Sequence, residues 1–171
     1  YMYNSYYTAD VLMNDDGDVA PVPFDVSVRV HTLRFLHVFA SQPILGGTPG
    51  LLIAQPYLFG DASIGPRHDE HDDLGDVTVG LMLGWHAPKV HQLSGIDFTL
   101  PTGAYSTAQL FNAGQNKYAA TFYYGVTRNF SDHVDGNLRA NLTVAGENPD
   151  TDYQPGLDAA LEYSLNYRLP R

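Results

Sequence analysis

Lys117-Tyr118-Ala119-Ala120-Thr121-Phe122-Tyr123-Tyr124-Gly125-Val126-Thr127-Arg128-Asn129-Phe130 alternates between apolar and polar residues along nearly its whole length. Tyr118, Ala120, Phe122, Tyr124, Val126 and Phe130 share one face, interrupted only by Arg128. Lys117, Thr121, Tyr123, Thr127 and Asn129 share the other. Successive side chains of a strand point to opposite sides, so the stretch reads as a strand with one apolar and one polar face. Its length carries the most information. Strands of soluble proteins usually run about 5–6 residues, whereas a strand crossing a bilayer obliquely needs about 9–11.

The same pattern extends in both directions. Val134, Leu138, Ala140, Leu142 and Val144 oppose Asp135, Asn137, Arg139, Asn141 and Thr143. Leu157, Ala159, Leu161, Tyr163, Leu165, Tyr167 and Leu169 oppose Asp158, Glu162, Ser164, Asn166 and Arg168. Upstream, Val77, Val79, Leu81, Leu83 and Trp85 oppose Thr78, Gly80, Met82, Gly84 and His86, and Ile96, Phe98 and Leu100 oppose Asp97 and Thr99. Phe24, Val26, Val28 and Val30 oppose Asp25, Ser27, Arg29 and His31, with the pattern blurring after Thr32 as at a bulge. Weaker alternation marks Tyr1 to Met13 and Leu51 to Ile64. These segments predict about eight antiparallel strands in an up-and-down transmembrane β-barrel. A soluble β-sandwich also alternates, but its strands are shorter than several of these.

The connections agree. Ala87-Pro88-Lys89 and Ser131-Asp132-His133 are short, whereas Asn14 to Pro23, Gly65 to Asp73, Pro101 to Asn116 and Glu147 to Gly156 are long. Short turns at one rim and long loops at the other are the outer-membrane pattern; Ser41 to Gly50 is intermediate and fits least well. Trp85, Phe130 and Tyr167 would then form an interfacial girdle at the short-turn end.

Composition narrows the function. Only 16% of the 171 residues are charged, Tyr occurs 12 times, Gly 16 and Pro 11 times, a mixture that favours strands and turns. Cys is absent, which excludes disulfides, thiolate metal sites and a thiol nucleophile. A net charge of −10 argues against a nucleic-acid partner. No apolar run approaches the roughly 18 residues of a spanning helix.

The polar face would line the lumen. Its candidates are Asp25, Arg29, Asp97, Lys117, Asp135, Asn137, Arg139, Asn141, Asp158 and Glu162, either setting selectivity in a wide pore or pairing across strands in a narrow one. Arg139 and Glu162 are placed to pair. His68-Asp69-Glu70-His71-Asp72-Asp73 offers imidazoles and carboxylates suited to divalent ions, but reads as a solvated acidic outer loop with no distant ligand. The remaining histidines show no ligand spacing, and pairs such as Ser27 with His31 or Thr99 with His86 are not singled out as catalytic by their spacing. Leu100-Pro101-Thr102-Gly103 opens the longest loop, which either completes the connection or folds outward to gate the mouth.

Several of these segments, in order, resemble the family of outer-membrane barrels of the meta-pathway of phenol degradation, the MetA-type phenol degradation barrels. The matching pieces are Tyr6-Tyr7, Asp16-Gly17 before Pro23-Phe24-Asp25-Val26, Ile44-Leu45-Gly46-Gly47, Leu74-Gly75-Asp76, and Gly84-Trp85-His86. Leu100-Pro101-Thr102-Gly103 with Tyr105, Gly114 with Asn116, and Glu147-Asn148 through Thr151-Asp152-Tyr153 to Gly156 complete the set. The resemblance implies an outer-membrane barrel of a Gram-negative bacterium that takes up aromatic or other hydrophobic compounds. It supplies no catalytic residues, and family members continue with further strands. The expectation is therefore a single β-barrel domain over residues 1–171, lacking a signal peptide and C-terminal strands. It would work as a porin-like channel rather than an enzyme, with no cofactor or bound metal, and its partners would be outer-membrane lipid and small organic solutes. A non-conducting structural or adhesive barrel and a lipid- or glycan-modifying enzyme are the alternatives.

Overall fold

Among the described residues eight strands form where the alternation predicts them and pair in sequence order, and one more forms where it predicts a loop. The computed structural model describes residues 1–14 and 16–169. The chain end at Arg171, read above as a truncation, lies outside these. The strands are β1 (Met2–Ala9), β2 (Phe24–Val38), β3 (Thr48–Ile64), β4 (Arg67–Leu74), β5 (Val77–His86), β6 (Val90–Leu100), β7 (Ala119–Asn129), β8 (Val134–Ala145) and β9 (Asp158–Tyr167). The sheet runs β1-β2-β3-β5-β6-β7-β8-β9, with β4 also paired to β3, and every pairing is antiparallel. The result is an all-β, antiparallel half-barrel, and no helix is present among the described residues.

Two expectations change. The pattern after Thr32 conceals no bulge, because β2 holds one register against β3 from Phe24↔Ile64 to Val38↔Gly50. The acidic segment from His68 to Asp73 is not a loop either. It forms most of β4, which folds back on the upper half of β3 through a turn at Gly65, giving nine strands among the described residues where about eight were expected. β4 and β5 are two halves of one path along β3, separated by a single extra residue: Tyr57 opposes Leu74 while Ala54 opposes Thr78. Pro56 lies at that break. It has no N–H to donate to the ladder, so the pairing slips. The side-chain amide of Gln55 takes over by donating to the carbonyls of Pro56 (3.0 Å) and Gly75 (2.9 Å).

The intermediate-length connection contains a tight turn. Ile44 and Gly47 exchange both backbone hydrogen bonds, at 2.9 and 2.8 Å, around Leu45 and Gly46. Both central residues have positive φ, 50° and 72°, as a type I′ turn requires. This turn, the Ala87–Lys89 turn and the Phe130–His133 turn share one rim, and the β3–β4 hairpin and the longer loops share the other.

Directly opposed residues of antiparallel neighbours place their side chains on the same side, so the registers define two continuous faces. One carries the row Leu51–Leu81–Ile96–Phe122–Leu142–Ala159. It stays open to the surroundings: Leu81 is 55% exposed, Phe122 50% and Leu161 66%. The other carries Leu52–Gly80–Asp97–Thr121–Thr143–Asp158. The few buried apolar side chains, Leu52, Ala54, Ala62 and Tyr123, lie on this second face. Polar residues inside and apolar residues outside invert the arrangement of a soluble protein.

Candidate functional site

The polar face is assembled from large side chains laid over glycines. Asp97 of β6 lies across Gly80 of β5, Tyr123 of β7 across Gly95 of β6, and Phe111 of the loop 101–118 across Gly60 of β3; a Cβ at any of these glycines would collide with the overlying group. Arg139 of β8 and Arg34 of β2 are on the same face as Asp97. One carboxylate oxygen of Asp97 and Nε of Arg34 are enclosed without a hydrogen-bond partner. Arg34 donates through its terminal nitrogens to the hydroxyls of Tyr1 (3.0 Å) and Tyr3 (3.5 Å), beneath both rings.

Arg139 and Glu162 are register partners, yet the ion pair expected from sequence does not form. Arg139 instead donates from Nε to Asn141 Oδ1 (2.8 Å), with its guanidinium 5.1 Å from the centre of the Tyr123 ring. Between the charges run shared hydroxyls, Thr121 with Thr143 at 2.9 Å and Thr127 donating to Asn137 at 2.6 Å. Nearer the short-turn rim, Asp135 accepts from Arg168 (2.7 Å), Asn166 (2.8 Å) and Asn137 (3.3 Å), tying β8 to β9.

Of the residues expected on this face, Asp97, Asp135, Asn137, Arg139, Asn141, Asp158 and Glu162 lie on it, and Lys117 lies in the loop just before β7. Asp25 and Arg29 do not. They oppose Ser63 and Phe59, on the same side as the lipid-type row, while Val26, Val28 and Val30 take the polar-face side. The reversal has a physical cause. The valines oppose Ala62, Gly60 and Leu58 and are half-buried, and Phe111 lies over Gly60, so part of this side of the sheet is covered by a loop. Sequence reasoning missed Arg34, because alternation continued through β2 puts it with Val26, Val28 and Val30, on the side that the sequence assigned to lipid.

The loop 101–118 does not fold outward. Asp69 of β4 accepts from the backbone N–H groups of Leu110 (2.7 Å) and Phe111 (3.4 Å), and its other oxygen lies 2.8 Å from His71 Nε2. Partial burial pushes this carboxyl up, but the two N–H donors and His71 outweigh it and hold Asp69 below the usual carboxylate value. Asp76, almost fully buried, pins both ends of the loop by accepting from Gly103 N and Gln115 N, each at 2.8 Å. Gly103 and Gly114 approach so closely that a Cβ on either would meet the other's backbone at 2.7 Å. Asn116 then donates to Asn148 (3.0 Å) and Asp150 (2.9 Å), joining this loop to the one after β8.

The hairpin adds one neighbour to the acidic strand. Pairing sets Asp61 opposite Glu70, and the ligand atoms of Asp61, His68 and Glu70 lie within 4.8 Å of one another on the outward side of the hairpin. Ser63 Oγ is 3.1 Å and Asp61 Oδ1 is 3.7 Å from His68, but both meet the same nitrogen, Nδ1. A catalytic triad needs the acid and the nucleophile on different ring nitrogens, so these three residues are not arranged as one.

Comparison with known proteins agrees with this architecture. A family model described as "Putative MetA-pathway of phenol degradation" matches residues 9–171. The fold is similar to the crystal structure of the COG4313 outer membrane channel from Pseudomonas putida F1, with a TM-score of 0.74 and 19% identity over 96% of this chain. The chain spans 62% of the length of that protein. No curated protein matches the sequence.

Proposed function

The chain belongs to the family of the MetA pathway of phenol degradation, and from that premise we propose that it builds part of a passive outer-membrane channel for small organic molecules. In this reading the polar face lines the lumen and the row through Leu81, Phe122 and Leu142 meets lipid. The observation that carries it is the unbroken register from β5 to β9, which keeps Asp97, Thr121, Thr143, Arg139 and Glu162 on one side of the sheet. Polar side chains on one face of bilayer-length strands need water or polar partners around them. Trp85, Phe130 and Tyr167 supply the girdle at the short-turn rim, and Arg128, 5.7 Å from the Phe130 ring centre, reaches headgroups from there. Aromatic and hydrophobic compounds are the proposed cargo.

Single-channel recording of the intact protein in planar bilayers, with and without phenolic solutes, tests the reading. Stepwise currents that phenols modulate are the expected result; a barrel that inserts without conducting would overturn it. The loop pinned by Asp69 and Asp76 favours a second reading, a sealed structural barrel, which the same recording separates from the first.

A further inference from the structure

Two histidines face each other where a tight turn leaves their strands no choice of register. Ala87 and Val90 exchange both backbone hydrogen bonds, at 2.9 and 3.3 Å. The next pair outward, His86 and His91, is therefore the non-hydrogen-bonded kind, whose side chains stand closest. Both are on the polar face, in the row that continues through Thr127, Asn137 and Ser164. Their Nδ1 atoms are 3.2 Å apart.

That separation suits a shared ion. Nitrogen ligands sit about 2.0–2.1 Å from Zn²⁺, so two of them 3.2 Å apart subtend roughly 100° at the ion, close to tetrahedral. Beside the rings is a cavity of about 350 Å³ whose floor includes Gly84 and Gly125 and whose walls include Thr127, Asn137 and Arg139. It has room for the water ligands that complete the coordination. Arg139 is the nearby cation, but its Nε is bound to Asn141, one register row farther from the histidines.

We propose that His86 and His91 form a two-imidazole site for a divalent transition ion such as Zn²⁺, at the short-turn mouth of the lumen. Neutral imidazole favours Zn²⁺, Cu²⁺ and Ni²⁺ over the harder ions. Without metal, one ring donates its Nδ1–H to the other. On binding, that ring changes to its Nε2–H tautomer, so both Nδ1 lone pairs face the ion and no net proton leaves a neutral pair. Because the site lies on the wall of the proposed channel, a bound ion narrows the mouth and adds positive charge there. That consequence rests on the channel reading; binding does not.

The test uses the intact protein in detergent, carrying His68→Gln to remove the other group of metal-ligand residues. Zn²⁺ is titrated calorimetrically into this protein and into versions that also carry His86→Gln or His91→Gln, with folding checked by heat-dependent gel mobility. Loss of either ring should weaken the tightest Zn²⁺ site by at least the roughly 10–100-fold that loss of even an outer-shell partner costs. Unchanged binding in either folded variant overturns the site. Independently of any variant, Cu²⁺ bound to the parent should show two equatorial imidazole nitrogens by electron paramagnetic resonance, and a single nitrogen overturns the site as well. In bilayers, Zn²⁺ should lower the unitary current of the parent and leave that of His91→Gln unchanged. A protein that binds Zn²⁺ through both rings yet never conducts supports the site and counts against the channel.

Discussion

The carboxylate of Asp97 lies across the bare α-carbon of Gly80, its register partner on the neighbouring strand. A methyl group at residue 80 would meet a carboxylate oxygen, so Gly80→Ala must lift Asp97 off the wall. The atom in the way is the free end of a side chain, which can swing clear at little cost to folding. That swing moves a negative charge toward the middle of the proposed lumen, between Arg34 and Arg139. Cation preference should rise in Gly80→Ala and fall in Asp97→Asn, read from the reversal potential across a salt gradient. Identical potentials in both variants would remove Asp97 from the conduction path.

Asp69 fastens the loop 101–118 to β4 through Leu110 and Phe111. Its folded-state pKa is held below the ordinary value of 3.8, so the contact stabilises the loop above that pH. It is lost as the pH falls through the lowered folded value, when the protonated acid no longer attracts the two N–H groups as strongly. Pepsin digestion over a series of acid pH values should show cutting at Leu110–Phe111 appearing as Asp69 protonates. Asp69→Ala should be cut there throughout the series. A variant that resists as well as the parent would mean that the loop is held by its other contacts, Asp76 with Gly103 and Gln115 and Arg67 with the Ala108 carbonyl.

The strands from β5 to β9 were legible in sequence because one face is apolar and the other polar along whole strands, so the pattern repeats with the period of the backbone. The upper part of β2 was misread for the complementary reason. Val26, Val28 and Val30 are on the side of the sheet where Phe111, from a loop distant in sequence, lies over Gly60, and period-two alternation cannot tell lipid from protein cover. β4 was hidden by composition, since His68, Glu70 and Asp72 are residues that a solvated loop would also carry. The residues behind the family resemblance show the opposite case. Asp76, Gly103 and Gly114, and then Asn116 and Asn148, were visible as separate motifs, but only the fold brings them into contact at the base of the loop.

Leu142 and Arg139 separate the two faces within one strand. Leu142 stands in the row between Phe122 and Ala159, and Arg139 in the row between Gly125 and Glu162. Leu142→Arg should reduce the folding free energy in lipid vesicles by roughly 2–4 kcal/mol if its depth is near the midplane. Arg139→Glu should insert normally and shift ion selectivity toward cations. Equal folding of the two variants would count heavily against the assignment of faces.

Arg29 and Arg34 test the corrected reading of β2 more sharply, because they are on one strand and carry the same charge. Arg29 opposes Phe59, with Ser27, Glu70 and Asp72 around the same outward depression. Arg34 opposes Ala54, on the same polar face as Asp97. A charge on the outside of a barrel is separated from the conducting water by the wall and screened within about 8–10 Å by salt, whereas a charge on the lumen wall acts on every passing ion. Arg34→Ala should therefore shift the reversal potential toward cations, and Arg29→Ala should leave it unchanged. If Arg29→Ala produced the larger shift, the valines of β2 would have to face lipid, and the continuous register from Phe24 to Val38 would have to slip by one residue.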